Sequence, residues 1–297
     1  MGLRGEISQR QRRFGDELRR LRSAAGLSAP EAGALVGMKS PAVSHTEAGR
    51  ISLNQERLSV WLDAYGCEDP AYRAGLADMG RGSGKGWWSA FANKVPDLAL
   101  DLAELEDRSV RLDSYDTLYI AGLLQLPAYA EAIYEDAYKV GASWDISTAV
   151  DFRMQRQRIL TDGKDRQFRF VIHEAALRMR FAGDAVMRAQ LRHLLDVAEL
   201  PNVTIQVLPF TAPKHGPISA SFLVCDPGCS DLSTIVLSGP KRAEHLGDPT
   251  DVGDYRHAFQ RLADNALPAV DGRRDLCELP SRDSWGLVQH LLYLLQT

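Results

Sequence analysis

The chain has 297 residues, of which 45% are hydrophobic and 25% charged, with a net charge of −4. This is the composition of a globular chain with one large core or two moderate ones. No apolar run has the flanks of a signal peptide or the roughly 18 residues of a membrane span, and four scattered cysteines (Cys67, Cys225, Cys229, Cys277) make no disulfide framework, so a cytoplasmic location is expected. The charge is uneven: residues 1–60 hold ten Lys/Arg against six Asp/Glu, a net +4, which leaves −8 for the remainder. A basic head on an acidic body assigns any phosphate contact to the head.

From Gln11 to Arg22, Phe14, Leu18 and Leu21 recur at helical spacing between arginines, and Gly26 stops the pattern. The arginines at 10, 12 and 13 divide evenly between a solvated charge run and a phosphate-facing one. "LSAPE" starts a second helix, Ala29 to Leu35, with Ser28 as N-cap, Glu31 as capping-box partner and Pro30 in the first turn. Gly33 inside it costs about 1 kcal/mol against alanine, which close approach of another helix would explain. Gly37 turns the chain. Ser40 then repeats the cap signal before Pro41, and a third helix runs to Ala48 with Gly49 as its stop. At 100° per residue Val43, Thr46 and Glu47 share one side, while Pro41, Ser44, His45 and Ala48 share the other. A helix this short cannot stand alone, so the first side docks and the second is free to act. A fourth helix from Gln55 (Leu58, Trp61, Leu62, Tyr65) and a fifth in "DPAYRAGLADM" complete the head.

Two short helices around a glycine-containing turn, the second exposing small polar groups, are the sequence image of a helix-turn-helix. The stretch "LRRLRSAAGLSAPEAGALVGMKSPAVSHTEAGRI", with Ser44, Glu47 and Gly49 in the shape S-x-x-E-x-G, resembles the XRE (Cro/cI-like) family. The resemblance implies that Arg22 pairs with Glu47. It also implies that Ser40, Pro41, Ala42, Ser44 and His45 face the major groove of double-stranded DNA, where serine and histidine can bond to base edges. Phosphate contacts are assigned to Arg12, Ser28 at the start of the second helix, Lys39, Arg50 and Ser52. One module of this size makes few contacts, so a homodimer on two half-sites is expected.

Five glycines around "GRGSGKG" place a linker at 80–86, giving a head at 1–79 and a body at 87–297. In the body, helices are expected at 96–108, 128–138, 147–160, 185–198, 254–266 and 284–295, and strands in "RQFRFVI", "NVTIQVLP", "ISASFLVC" and "STIVLS". The fold class is therefore multidomain: an all-α helix-turn-helix domain followed by a larger α+β domain. Trp87 and Trp88 can stack on a ligand or pack inward. Arg153, Arg156 and Gln157 share a helical face that either is paired internally or binds a partner or an anion. Cys225, Cys229 and His215 lack a second Cys/His pair and are read as thiols and a histidine without zinc. His173 beside Glu174 is read as a helix cap or a surface histidine before a general base. With no phosphate loop, nucleophile elbow or His-Glu-x-x-His, no catalytic residue, metal or cofactor is assigned, and an enzyme is not expected.

"AGLLQLPAYAEAI", "RMQRQRIL" and "FRFVIHEAALRMRFAGDAVMRAQLRHLLDVAELPNVTIQVLPF" resemble a C-terminal domain of uncharacterised type that follows an XRE head in many actinobacterial regulators. That resemblance implies a transcriptional regulator of development or secondary metabolism, controlled by a small partner protein; a small-molecule effector in the body is the other route. The rival reading is an antitoxin-like interaction module with weak DNA binding.

Overall fold

A computed structural model of the chain describes residues 7–81, 85–139, 145–163, 165–213, 220–239, 242–270 and 283–295. They form two compact units, one of Met1–Arg108 with Pro227–Ser233 and one of Ser109–Asp226 with Thr234–Thr297. The chain thus divides between Arg108 and Ser109 and not in the glycine-rich run: Gly80 still lies in a helix, and residues 82–84 are outside the described residues.

The first unit is helical: α1 (Gln9–Ala24), α2 (Ala29–Leu35), α3 (Ser40–Glu47), α4 (Gln55–Ala64), α5 (Pro70–Arg81), a 3-10 turn at Trp87–Phe91, and α6 (Asp97–Asp107). Local chemistry sets their starts. Ser8 and Gln11 form a capping box on α1, Ser28 and Glu31 another on α2, and Asn54 caps α4 through the Arg57 N–H. Gly26, Gly37, Gly49 and Gly66 all turn the chain with φ between 66° and 73°. Phe14, Leu18, Val43, Leu58, Trp61, Leu62, Tyr72 and Leu76 build the core.

The second unit is built on a six-stranded mixed sheet in the order β3-β2-β1-β4-β5-β6. Its strands are β1 (Arg111–Asp116), β2 (Gln167–His173), β3 (Val203–Leu208), β4 (Phe222–Asp226), β5 (Thr234–Ser238) and β6 (Ala243–Leu246). β1, β2 and β3 are parallel, and β4, β5 and β6 are added antiparallel. The two crossovers carry α7 (Pro127–Lys139) with α8 (Ile146–Arg156), and α9 (Glu174–Arg178) with α10 (Asp184–Val197). Two further helices, α11 (Pro249–Asn265) and α12 (Ser284–Leu294), follow the sheet, and Tyr115, Val171, Phe222, Val224 and Ile235 meet Phe259 and Leu262 of α11 in one apolar cluster.

Two strands and one helix stand outside the expected list: β1, β6 and α9. The sequence of β1, "RLDSYD", hides a central strand because its pairing is with residues 56 or more positions away. Asp113 and Arg111 lie on the Tyr115 face and pair with each other at 2.9 Å, and Ser114 and Asp116 lie on the opposite face.

Candidate nucleic-acid interface

The helix expected to read DNA is α3. Val43 and Thr46 are fully enclosed and Glu47 is buried, while Pro41, Ser44, His45 and Ala48 are exposed and Ser40 and Ala42 are half-buried on the flanks. Thr46 returns its hydroxyl to the Ala42 carbonyl at 2.9 Å, so a polar side chain faces the core at no cost in unpaired groups. The N-cap is Lys39, without a side-chain cap bond, and Ser40 is instead the first helical residue.

Close backbone contacts hold α3 in place. A Cβ on Gly15 would stand 2.2 Å from the Glu47 carbonyl oxygen, and one on Gly49 would stand 2.8 Å from that of Gln11, so α1 lies directly on the end of α3. Gly33 meets the turn itself: its Cβ would stand 2.3 Å from the Met38 carbonyl oxygen, with Val43 of α3 the next neighbour at 3.2 Å. Arg22 grips the same end of α3. Its Nε donates to Glu47 Oε1 at 2.6 Å and its Nη2 to Oε2 at 3.0 Å, while Nη1 donates to the Leu27 carbonyl at 2.7 Å. The bond to the Glu47 carboxylate raises the Arg22 pKa above its ordinary value. Trp61 Nε1 donates to the Ala32 carbonyl at 2.8 Å and fixes α2 on α4.

Around this helix Arg12, Lys39, Arg50 and Ser52 are exposed. Ser28 is occupied otherwise. Its N–H and hydroxyl donate to Glu31 Oε2 at 2.7 and 2.5 Å, which draws the Glu31 carboxyl below its usual range and sets a negative charge at the start of α2. Arg10 and Arg13, two of the three arginines in the expected charge run, are buried. Arg10 donates to the Met79 carbonyl at 3.1 Å and to Asp78 at 2.7 Å, and Arg13 pairs with Glu17. Partners 68 residues away from Arg10 are invisible to a local reading of the run.

Residues 13–76 match a helix-turn-helix domain, and residues 99–277, more than half of the chain, match a domain of unknown function, DUF5753. The chain belongs to the DUF5753 family. No curated protein and no solved structure matches it. The helix-turn-helix match supports a DNA-binding regulator, and no described helix is long and apolar enough to cross a membrane.

Of the side chains expected to bind a partner or ligand, Trp87 and Trp88 precede the DUF5753 match. Trp88 is 1% exposed, so its ring faces are covered; Trp87 is half-buried, with its ring 6.0 Å from that of Trp88 and 6.3 Å from Phe91. Inside the DUF5753 region, Arg156 is buried and the other two are turned inward. Gln157 Nε2 donates to the Gly122 and Gln125 carbonyls at 3.2 and 2.6 Å, and Arg153 donates to Gln125 Oε1 and lies over the Tyr134 ring at 4.5 Å. This face holds the turn after β1 through internal pairing. Two glutamines missed in the sequence complete it. Gln125 donates to the Ile120 carbonyl at 2.6 Å, and Gln190 both donates to the Leu124 carbonyl and accepts from the Leu126 N–H, each at 2.7 Å.

His173 caps α9, its Nδ1 accepting from the Ala175 N–H at 3.2 Å, and Glu174 accepts from Arg178 at 2.6 Å and from the Phe210 N–H at 2.8 Å. His215 and Cys277 lie outside the described residues, and Cys225 and Cys229 fall in different units. Among the described residues no group of three or more His, Cys, Asp or Glu is placed to hold a metal.

Proposed function

We propose that the protein is a cytoplasmic, sequence-specific transcriptional regulator of the XRE (Cro/cI-like), actinobacterial type, acting on development or secondary metabolism. The observation that carries this reading is the division of α3 into a docked face of Val43, Thr46 and Glu47 and an exposed face of Pro41, Ser44 and His45. An α-helix fits the major groove, and on this reading Ser44 and His45 meet base edges with Ser40, Pro41 and Ala42 alongside. Lys39, Arg50, Ser52 and Arg12 contact phosphates, while Ser28 contributes by capping α2. The protein works as a homodimer on half-sites about 34 Å apart, and the DUF5753 region receives a small partner protein or a small-molecule effector. Either signal acts through a difference in its affinity for two states of the regulator.

The test is binding of the purified protein to duplex DNA from its own upstream region across a salt series. Affinity falls steeply with salt, and Lys39→Ala and Arg50→Ala each flatten the logarithmic slope by about 1. Binding that is absent, or indifferent to salt, overturns the reading.

A further inference from the structure

The connection between β4 and β5, residues 227–233, is a hairpin loop, and such loops ordinarily run over the surface. This one belongs to the helical unit. Leu232 is 1% exposed and Cys229 is buried in the same apolar cluster as Phe14, Leu18, Trp61 and Leu76. Helix α5 is shaped to receive them: a Cβ on Gly75 would stand 2.6 Å from Leu232 Cδ1 and 3.4 Å from Cys229 Cβ. Helix α1 holds the loop by its backbone, Arg13 Nη2 donating to the Asp231 carbonyl at 3.2 Å. The same guanidinium pairs with Glu17, which also accepts from Arg20 Nε at 2.9 Å and from the Tyr72 hydroxyl.

The loop has little slack, because it begins directly after β4 and ends directly before β5, where Cys225 pairs with Thr234. Its seat is made by α1 and α5, and α1 is also the helix on which α3 rests, through Gly15 against Glu47 and through the Arg22–Glu47 pair. A single helix therefore touches both the loop and the reading helix. The loop lies within the stretch that matches DUF5753, and its seat within the stretch that matches the helix-turn-helix domain or next to it.

We propose that residues 227–233 are a strap by which the β4–β5 hairpin controls how firmly α1, and through it α3, is held. Seated, the strap completes the core of the helical unit and braces the reading surface; unseated, it loosens both. A signal that alters β4–β5 pairing thereby reaches α3 through Leu232, Arg13 and α1. The regulatory meaning rests on the proposed DNA reading, whereas the strap is tested without DNA.

Two buried thiols flank the joint and report on each side of it: Cys229 in the seat and Cys225 in β4, 9% and 2% exposed. Buried thiols react slowly, and burial raises the Cys229 pKa further. In the full chain, alkylation of each cysteine by N-ethylmaleimide is followed by mass spectrometry, with amide hydrogen exchange alongside. Leu232→Ala is expected to speed alkylation of Cys229 on the order of tenfold or more, with Cys225 still protected. Exchange is expected to rise in residues 9–24 and 40–47 and to stay unchanged in 167–173 and 203–208. Rapid Cys229 alkylation in the wild type, or a freed Cys229 with no change in α1 and α3, overturns the strap.

Should Leu232→Ala unfold the chain, Cys225 reacts as well, and Gly75→Ala takes its place. Alanine is the better helix former but crowds Leu232, so the strap account expects the same selective exposure of Cys229, and undiminished protection contradicts it. If Leu232→Ala gives this exchange pattern while the wild type binds no DNA, the reading of α3 is refuted and the strap stands.

Discussion

Glu17 is buried and Asp116 half-buried, and their carboxyls settle on opposite sides of the ordinary carboxylate range. Burial alone pushes Glu17 up, but Arg13, Tyr72 and Arg20 outweigh it and bring its pKa below the usual value. Its contribution to stability is present above the unfolded carboxyl pKa of about 4.3 and is lost as pH falls through the folded value. Asp116 has only the Ser114 hydroxyl, at 2.7 Å, to set against desolvation, which pushes its pKa up to about 7. Its sign is reversed. Between the unfolded aspartate pKa of about 3.9 and about 7 the unfolded chain is ionised while the folded chain holds its proton, so the stabilising contribution is complete below about 3.9 and declines through that window. Asp116→Asn should remove this decline. Urea unfolding of the second unit at pH 5 and pH 8 checks it: the variant's stability relative to wild type is expected to improve at pH 8, and an equal difference at both values would contradict the shift.

At the scale of the element, glycine spacing decides how the head packs. By helix propensity Gly15→Ala should stabilise α1 by about 1 kcal/mol. The new methyl group would meet the Glu47 carbonyl at 2.2 Å, however, and backbone cannot swing aside as a side chain can. We expect a net destabilisation of about 1–3 kcal/mol by urea unfolding, and a gain would show that α1 does not sit on α3 as described. The chain order of α1 to α5, the capping box of α2 and the inward residues of α3 were legible because each signal is local: a serine three residues before a glutamate, or an apolar repeat at 3.6. Gly15 gave no such signal, since the contact that demands it is with Glu47, 32 positions on. The same reason hid β1, whose polar "RLDSYD" is a strand through its neighbours β2 and β4, and it hid the burial of Arg10 and Arg13. Trp88 and Arg156 could be named from the sequence, but whether they faced outward could not, because burial is a property of the packed unit.

At the scale of the whole molecule, a basic head and an acidic body divide the labour that the two family matches suggest: a DNA-binding module and a domain of unknown function. The proposed strap gives that division a covalent route for a signal, because Cys229 and Leu232 of the DUF5753 stretch lie in the same core as Val43 of α3. Buried arginines weaken a simple count of charge. Of the basic residues in the first turns of α1, Arg12 is the exposed one, so the phosphate-facing charge of the account rests on a few side chains around α3. The measurement that bears on it most directly compares binding of the full chain to its own upstream duplex and to a scrambled duplex of equal length, for wild type and His45→Ala. His45 is exposed and outside the core, so its loss should leave stability within about 0.5 kcal/mol. The account expects wild type to prefer the upstream duplex and His45→Ala to lose about 1–3 kcal/mol of that preference. Equal affinity of wild type for the two duplexes would contradict it.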